Sequence, residues 1–149
     1  MPIIPHDVCF TVKSSSLVRE ISTKIYIESL ESGIKIEADA IWDTGAELSL
    51  ISPEIVTNLR LIPSGKATIS TPTDKKVPTN VYVVNIHLPN NAIVNKVKVI
   101  GGTLSDCDIL IGMDIITLGD FAVTNFNGQT TFTFRIPSLE EIDFSKNLK

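Results

Sequence analysis

Ala40-Ile41-Trp42-Asp43-Thr44-Gly45-Ala46 is an apolar run that ends at a carboxylate, a hydroxyl and a glycine. It reads as a strand delivering Asp43 to the start of a loop. Upstream, Ile21, Thr23, Ile25 and Ile27 alternate with Ser22, Lys24, Tyr26 and Glu28, and Glu31-Ser32-Gly33 supplies a turn. Ile34, Ile36, Ala38 and Ala40 then alternate with Lys35, Glu37 and Asp39, so a hairpin over Glu20 to Ala40 runs directly into Asp43. Downstream, Ser49-Leu50-Ile51-Ser52 leads to Pro53-Glu54. There Ser52 is the expected N-cap and Pro53 the first residue of a short helix that ends before Pro63.

The rest of the chain continues in short strands. Ala67 to Ser70 and Val77 to Leu88 flank a polar loop, Thr71 to Lys76, and Pro89-Asn90-Asn91 turns the chain into Ile93 to Ile100. Gly101-Gly102 is expected to break that strand. Ile109-Leu110-Ile111-Gly112 repeats the pattern of an apolar strand ending at glycine, with a short helix expected over Met113 to Leu118. Phe121 to Asn125 and Thr130 to Ile136 read as a closing hairpin around Asn127-Gly128, with Phe132, Phe134 and Ile136 on its apolar side. The pattern predicts an all-β barrel or sandwich with one or two short helices. One domain over 1–149 is expected, with a core of about 20–136 and a frayed or weakly helical tail from 137 to 149.

Composition bounds what this domain can do. Its 149 residues are 43% hydrophobic and 20% charged, as in an ordinary globular protein. Acidic residues outnumber basic ones, 17 to 13, for a formal net charge of -4, and Lys75-Lys76 is the one adjacent basic pair. That balance offers no electrostatic basis for binding nucleic acid or an anionic membrane. No apolar run approaches the roughly 20 residues of a membrane span, and Met1 to Phe10 has no apolar segment of a secretory signal, so a cytoplasmic protein is expected. Cys9 and Cys107 match no metal spacing. They could form one bridge, but free thiols in a reducing compartment are the expected state. His6 and His87 lack partners at zinc-ligand spacing, Ser49 and Ser52 lack a nucleophile elbow, and Gly101-Gly102 is not a phosphate loop.

Asp43 is the informative residue. A carboxylate among Ile41, Trp42, Leu48, Leu50 and Ile51 is costly to ionise unless it is paired or hydrogen-bonded. Asp-Thr-Gly can also be a plain turn in which the aspartate accepts a local hydrogen bond. The surroundings favour catalysis. The hairpin into Ala40–Ala46, a second hairpin over about Ala67 to Leu88, and Ile109-Leu110-Ile111-Gly112-Met113-Asp114 occur in the order found in the retropepsin-like aspartic proteases, which this chain resembles from about Lys24 to Asn125. The resemblance implies a closed β-barrel lobe of the acid protease fold. It implies that Asp43 is the catalytic aspartate, that Thr44 reaches across a dimer, that the carbonyl of Gly45 faces substrate backbone, and that Ala46 is the small residue beside it. Glu47, Thr71, Thr73 and Ile111 fall where substrate contacts are expected, Thr71 and Thr73 on the flap. The flap loop departs from the viral pattern: Ser70 to Lys76 contains one proline and no glycine.

Acid protease chemistry needs two carboxyl groups, one ionised to take a proton from water and one protonated to hydrogen-bond the scissile carbonyl. Carboxylates about 3 Å apart share one proton, aspartic proteases being the standing example. The chain has one Asp-Thr-Gly; Asp108 and Asp114 are the nearest rivals for a second acid, and Asp114 reads rather as a polar helix residue. The expectation is therefore a homodimer with Asp43 and its copy at a twofold axis, acting on polypeptide and requiring no metal or organic cofactor. The alternative is a non-catalytic dimerisation or peptide-binding module, for which the glycine-free flap argues.

Overall fold

The computed structural model describes residues 8–70, 73 and 75–147. Among the described residues, ten strands and two short α-helices make up an all-β fold. The Glu20–Ala40 hairpin forms as β2 (Ser22–Ser29) and β3 (Lys35–Trp42), in register from Ser22 opposite Ile41 to Glu28 opposite Lys35. Its alternation buries Thr23, Ile25 and Ile27 from one strand and Ala38, Ala40 and Trp42 from the other. After Asp43 come β4 (Leu50–Ile51) and α1 (Pro53–Asn58). The Ser52 hydroxyl caps that helix by accepting the Ile55 N–H, with Pro53 in the first turn.

The flap hairpin is β5 (Gly65–Ile69) against β6 (Val77–His87), followed by β7 (Ile93–Gly101). Gly101 does not break that strand; it is the last residue of it, and pairs with Ile51. Next come β8 (Ile109–Ile111) and α2, which spans Met113–Ile116 and is shorter than expected. β2, β3, β8, β4, β7 and β6 are hydrogen-bonded in that order, and β6 pairs back to β2, closing a 6-strand barrel. The two apolar strands that end at glycine turn out to be neighbours. β3 and β8 run parallel, with Ile41 opposite Leu110 and Trp42 opposite Ile111.

A second sheet packs on this barrel, in the order β1 (Val8–Lys13), β10 (Thr131–Ile136), β9 (Asp120–Thr124). Sequence patterning did not identify β1. Phe10, ahead of the expected core of about 20–136, is 4% exposed and belongs to the hydrophobic core. Phe132 and Phe134 of β10, Phe121 of β9 and Phe10 surround Trp42, with ring centroids 4.9 to 6.2 Å from its own. Such a cluster contributes specific ring geometry beyond the area it buries. The Asn127-Gly128 turn forms, with both residues at positive φ and the Gln129 N–H donating to the Phe126 carbonyl at 3.2 Å. Strand pairing stops earlier, at Thr131 opposite Thr124, so the turn caps a wider loop than expected. The tail curls back on β9: Asp120 accepts from the Ser138 hydroxyl, the Leu139 N–H and Arg135. Those donors hold its carboxyl well below the usual carboxylate range.

Among the described residues, no helix is long and apolar enough to cross a membrane, and no three His, Cys, Asp or Glu residues are grouped to hold a metal. Cys9 and Cys107 are both free thiols; Cys9 is exposed, and burial pushes the half-buried Cys107 thiol up.

Candidate active site

Asp43 is the first residue beyond β3, half-buried at the barrel rim. Its N–H donates to the Ile111 carbonyl at 2.8 Å, extending the β3–β8 ladder by one residue. Its Oδ1 accepts the Gly45 N–H at 2.8 Å. Oδ2 has no hydrogen-bond partner among the described residues. The carboxylate is thus gripped through one oxygen and open through the other. A side chain on Gly45 would crowd this grip, because a Cβ there would sit 3.1 Å from Oδ1.

The loop from Asp43 to Ser49 is stitched along its length to the turn that begins α2. Met113 N–H donates to the Ala46 carbonyl at 2.8 Å and Asp114 N–H to the Glu47 carbonyl at 3.1 Å. Asp114 in turn accepts the Ser49 N–H at 3.0 Å and the Ser49 hydroxyl at 2.8 Å, while the Ser49 oxygen accepts the Gly112 N–H at 3.0 Å. Ser49 is 0% exposed, so these bonds form away from competing water. Gly112 lies against the same loop. A Cβ there would meet the Ala46 carbonyl oxygen and the Leu48 carbonyl carbon at 2.8 Å.

The expected site residues fall into separate groups. Asp43, Thr44, Gly45, Ala46 and Glu47 form one continuous loop, with Thr44, Gly45 and Glu47 exposed and Ala46 half-buried. The Thr44 hydroxyl has no partner among the described residues. Ile111, expected to touch substrate, is instead 0% exposed; its carbonyl positions Asp43 while its side chain fills the core. Thr73 is exposed on the flap, and Thr71 lies outside the described residues. A cavity of about 670 Å³ separates the flap from the body, walled by Ile69, Thr73 and Val77 above and by Leu50, Val56 and Gly102 below. Asp43 is not among its walls. Leu50, just beyond the loop that Asp43 begins, connects the two regions.

Sequence reading missed Ser49 and Asp114. In sequence Ser49 offers only a nucleophile without an elbow, and Asp114 a polar helix residue or a rival second acid. One signal was available: an acidic residue two positions after a glycine, in the first turn of a helix, is placed to bind backbone N–H groups.

A closed barrel that presents one Asp-Thr-Gly loop at its rim is a single lobe of the retropepsin type. The chain belongs to the retroviral aspartyl protease family, whose profile matches residues 10–135. Two solved structures share the fold at low identity. A retropepsin-like aspartic protease from Rickettsia conorii superposes with a TM-score of 0.52 at 12% identity, covering 87% of this chain and 94% of that one. EIAV protease, solved with the inhibitor HBY-793, gives a TM-score of 0.51 at 18% identity over 69% of this chain and 90% of that one. No curated protein matches the sequence.

Proposed function

We propose that the chain is an aspartic endopeptidase whose catalytic unit is a homodimer, with Asp43 from each copy forming the dyad. The observation that carries this reading is the Asp43 carboxylate itself, held through Oδ1 by Gly45 N–H, with Oδ2 unpartnered among the described residues. Asp114 is no substitute for a second acid, because its oxygens are occupied by Ser49 and Ile115.

In this reading one Asp43 is ionised and the other protonated, the two carboxyl groups sharing a single proton. The ionised member takes a proton from water as the water oxygen bonds to the scissile carbonyl carbon. The protonated member hydrogen-bonds the carbonyl oxygen. The tetrahedral intermediate then breaks its C–N bond as a proton passes to the leaving amine, which restores the dyad to one shared proton. Thr44 and Gly45 support the loop, Thr44 reaching the partner subunit and the Gly45 carbonyl facing substrate backbone. Glu47, Thr71 and Thr73 are candidate contacts to an extended polypeptide under the flap.

The glycine-free loop from Ser70 to Lys76 favours a second reading, a peptide-binding module that has kept the motif but cannot close over substrate. Cleavage of an unbiased peptide library at acidic and neutral pH, by the wild type and by Asp43→Asn, separates the two. Cleavage by the wild type alone is the expected result. Equal cleavage by both proteins assigns the activity to a contaminant, and binding without cleavage establishes the module.

A further inference from the structure

We propose that the outer edge of β2, from Ser22 to Ile25, is a docking slot for an extended segment of a partner polypeptide, with apolar side chains on one face of that segment and carboxylates on the other. The slot is separate from the flap cavity and stands whether or not the chain cleaves peptides. β6 pairs with β2 only from Tyr26 opposite His87 to Ser29 opposite Val84. Beyond His87 the chain turns away: the Leu88 N–H donates to the Ala92 carbonyl at 2.7 Å, and Pro89–Asn91 lead into β7. The first half of β2 therefore has β3 on one side and, among the described residues, no strand on the other. Peptide groups alternate in direction along an antiparallel strand. The Ile21 carbonyl accepts the Trp42 N–H on the β3 side, so the peptide groups of Ser22 and Lys24 point the other way. Among the described residues they meet no hydrogen-bond partner there.

This edge opens into a second cavity of about 670 Å³, with β1 across from it. Val12 of β1 lies on the same face as the buried Phe10 yet is 36% exposed, because the core ends beside the cavity. Tyr26, on the outer face of β2, is 42% exposed. No wall of the cavity is acidic, and two are lysines. Lys24 is held by Asp39 at 2.6 Å. Lys35 instead has its ammonium 5.1 Å above the Tyr26 ring, with no carboxylate at ion-pair distance among the described residues. A strand added along β2 takes up the open peptide groups of Ser22 and Lys24, the source of affinity when a peptide extends a sheet. Its alternate side chains then face opposite ways. Those on the inner face cover Val12 and Leu88, and those on the outer face meet Tyr26 and Lys35. The inner positions call for apolar residues and the outer ones for carboxylates.

Two acetylated octapeptides test this, one alternating valine with glutamate and the other valine with lysine. Asp43→Asn serves as the parent protein, so that neither probe is cleaved. Binding is followed by the emission of Trp42, whose indole N–H donates to Thr23 of the cavity wall, and located by hydrogen exchange. The glutamate peptide should bind more tightly than the lysine peptide and protect the Ser22 and Lys24 amides. Adding Lys24→Pro removes an outward N–H that the β2–β3 ladder does not use, and should weaken binding roughly 10-fold or more. Adding Lys35→Glu should abolish the preference for glutamate. Circular dichroism checks both folds; if either variant unfolds, protection of Ser22 and Lys24 in the parent decides alone. Protection confined to the flap strands, or absent from β2, overturns the proposal and leaves the catalytic reading standing. So does protection of Ser22 and Lys24 that rises with protein concentration and needs no peptide, which would assign the slot to a second copy of the chain.

Discussion

Asp114 and Ser49 are joined twice: the Asp114 carboxylate accepts the Ser49 hydroxyl at 2.8 Å and the Ser49 N–H at 3.0 Å. This pair ties the end of the Asp43 loop to the start of α2. The aspartate that cannot serve as the second acid instead sets the shape of the loop that carries the first. Ser49→Ala leaves the buried Gly112 N–H without its acceptor and removes one of the two donors to Asp114 Oδ1, at a cost of about 1–3 kcal/mol. It should lower both the melting temperature and kcat of the proposed reaction. Asp114→Asn keeps one acceptor oxygen and should fall between the wild type and Asp114→Ala. A thermal melt together with a KM-against-kcat comparison checks the order; equal losses in the two Asp114 variants would mean that the carboxylate's second oxygen is all that matters.

Gly112→Ala probes the same contact sterically. The added methyl would sit 2.8 Å from the Ala46 carbonyl oxygen and the Leu48 carbonyl carbon, where backbone must move rather than a flexible side chain. The expected outcome is a destabilised protein with Asp43 displaced, measured as a lower urea midpoint and loss of cleavage. A midpoint and activity equal to the wild type would show that this turn is looser than its packing indicates.

The single tryptophan reports on the core beneath the site. Trp42 Nε1–H donates to the Thr23 hydroxyl at 2.9 Å, both residues being buried. Thr23→Val keeps the shape and removes the acceptor, leaving a buried indole N–H unsatisfied at about 1–3 kcal/mol. Fluorescence-detected unfolding should show a lower midpoint with an unchanged denaturant slope. Trp42→Ala, which empties the aromatic cluster, should cost about 3–5 kcal/mol.

Acid should weaken the β2–β6 seam that closes the barrel. Glu28 accepts from His87 at 2.7 Å and from Asn85 at 3.4 Å, and these partners, His87 foremost, lower its pKa. A carboxyl whose folded pKa is depressed stabilises the fold above its unfolded pKa and loses that contribution as pH falls through the folded value. His87→Ala should therefore have its largest effect on melting temperature near neutral to mildly acidic pH. The gap from the wild type should shrink once Glu28 is protonated in both folded and unfolded chains. A gap that is constant from neutral pH down to strongly acidic pH would remove Glu28 from the explanation.

Much of the barrel was legible because its strands announce themselves locally. The alternation from Ile21 to Ala40 and the glycine turn at Gly33 are properties of adjacent residues, and so is the cap Ser52-Pro53. Asp43 was legible for the same reason, as a carboxylate ending an apolar strand. β1 was not, since the alternation of Val8, Phe10 and Val12 with Cys9, Thr11 and Lys13 spans only 6 residues. It is a strand only because β10, more than a hundred residues later, pairs with it, Thr11 opposite Thr133. Ile111 was misplaced toward substrate for a related reason: an apolar residue before a glycine looks the same whether it lines a cleft or fills the core.

From its sequence alone the chain determined an all-β lobe with one Asp-Thr-Gly loop, because hydrophobic period, turn residues and helix caps act over a few neighbouring positions. Only tertiary structure decided that Ser49 and Asp114, 65 residues apart, would lock that loop, and that β9 would be left as an open edge beside Trp42. Those outcomes depend on barrel closure, which brings distant backbone donors and acceptors to hydrogen-bonding distance. No local pattern records which of them will meet.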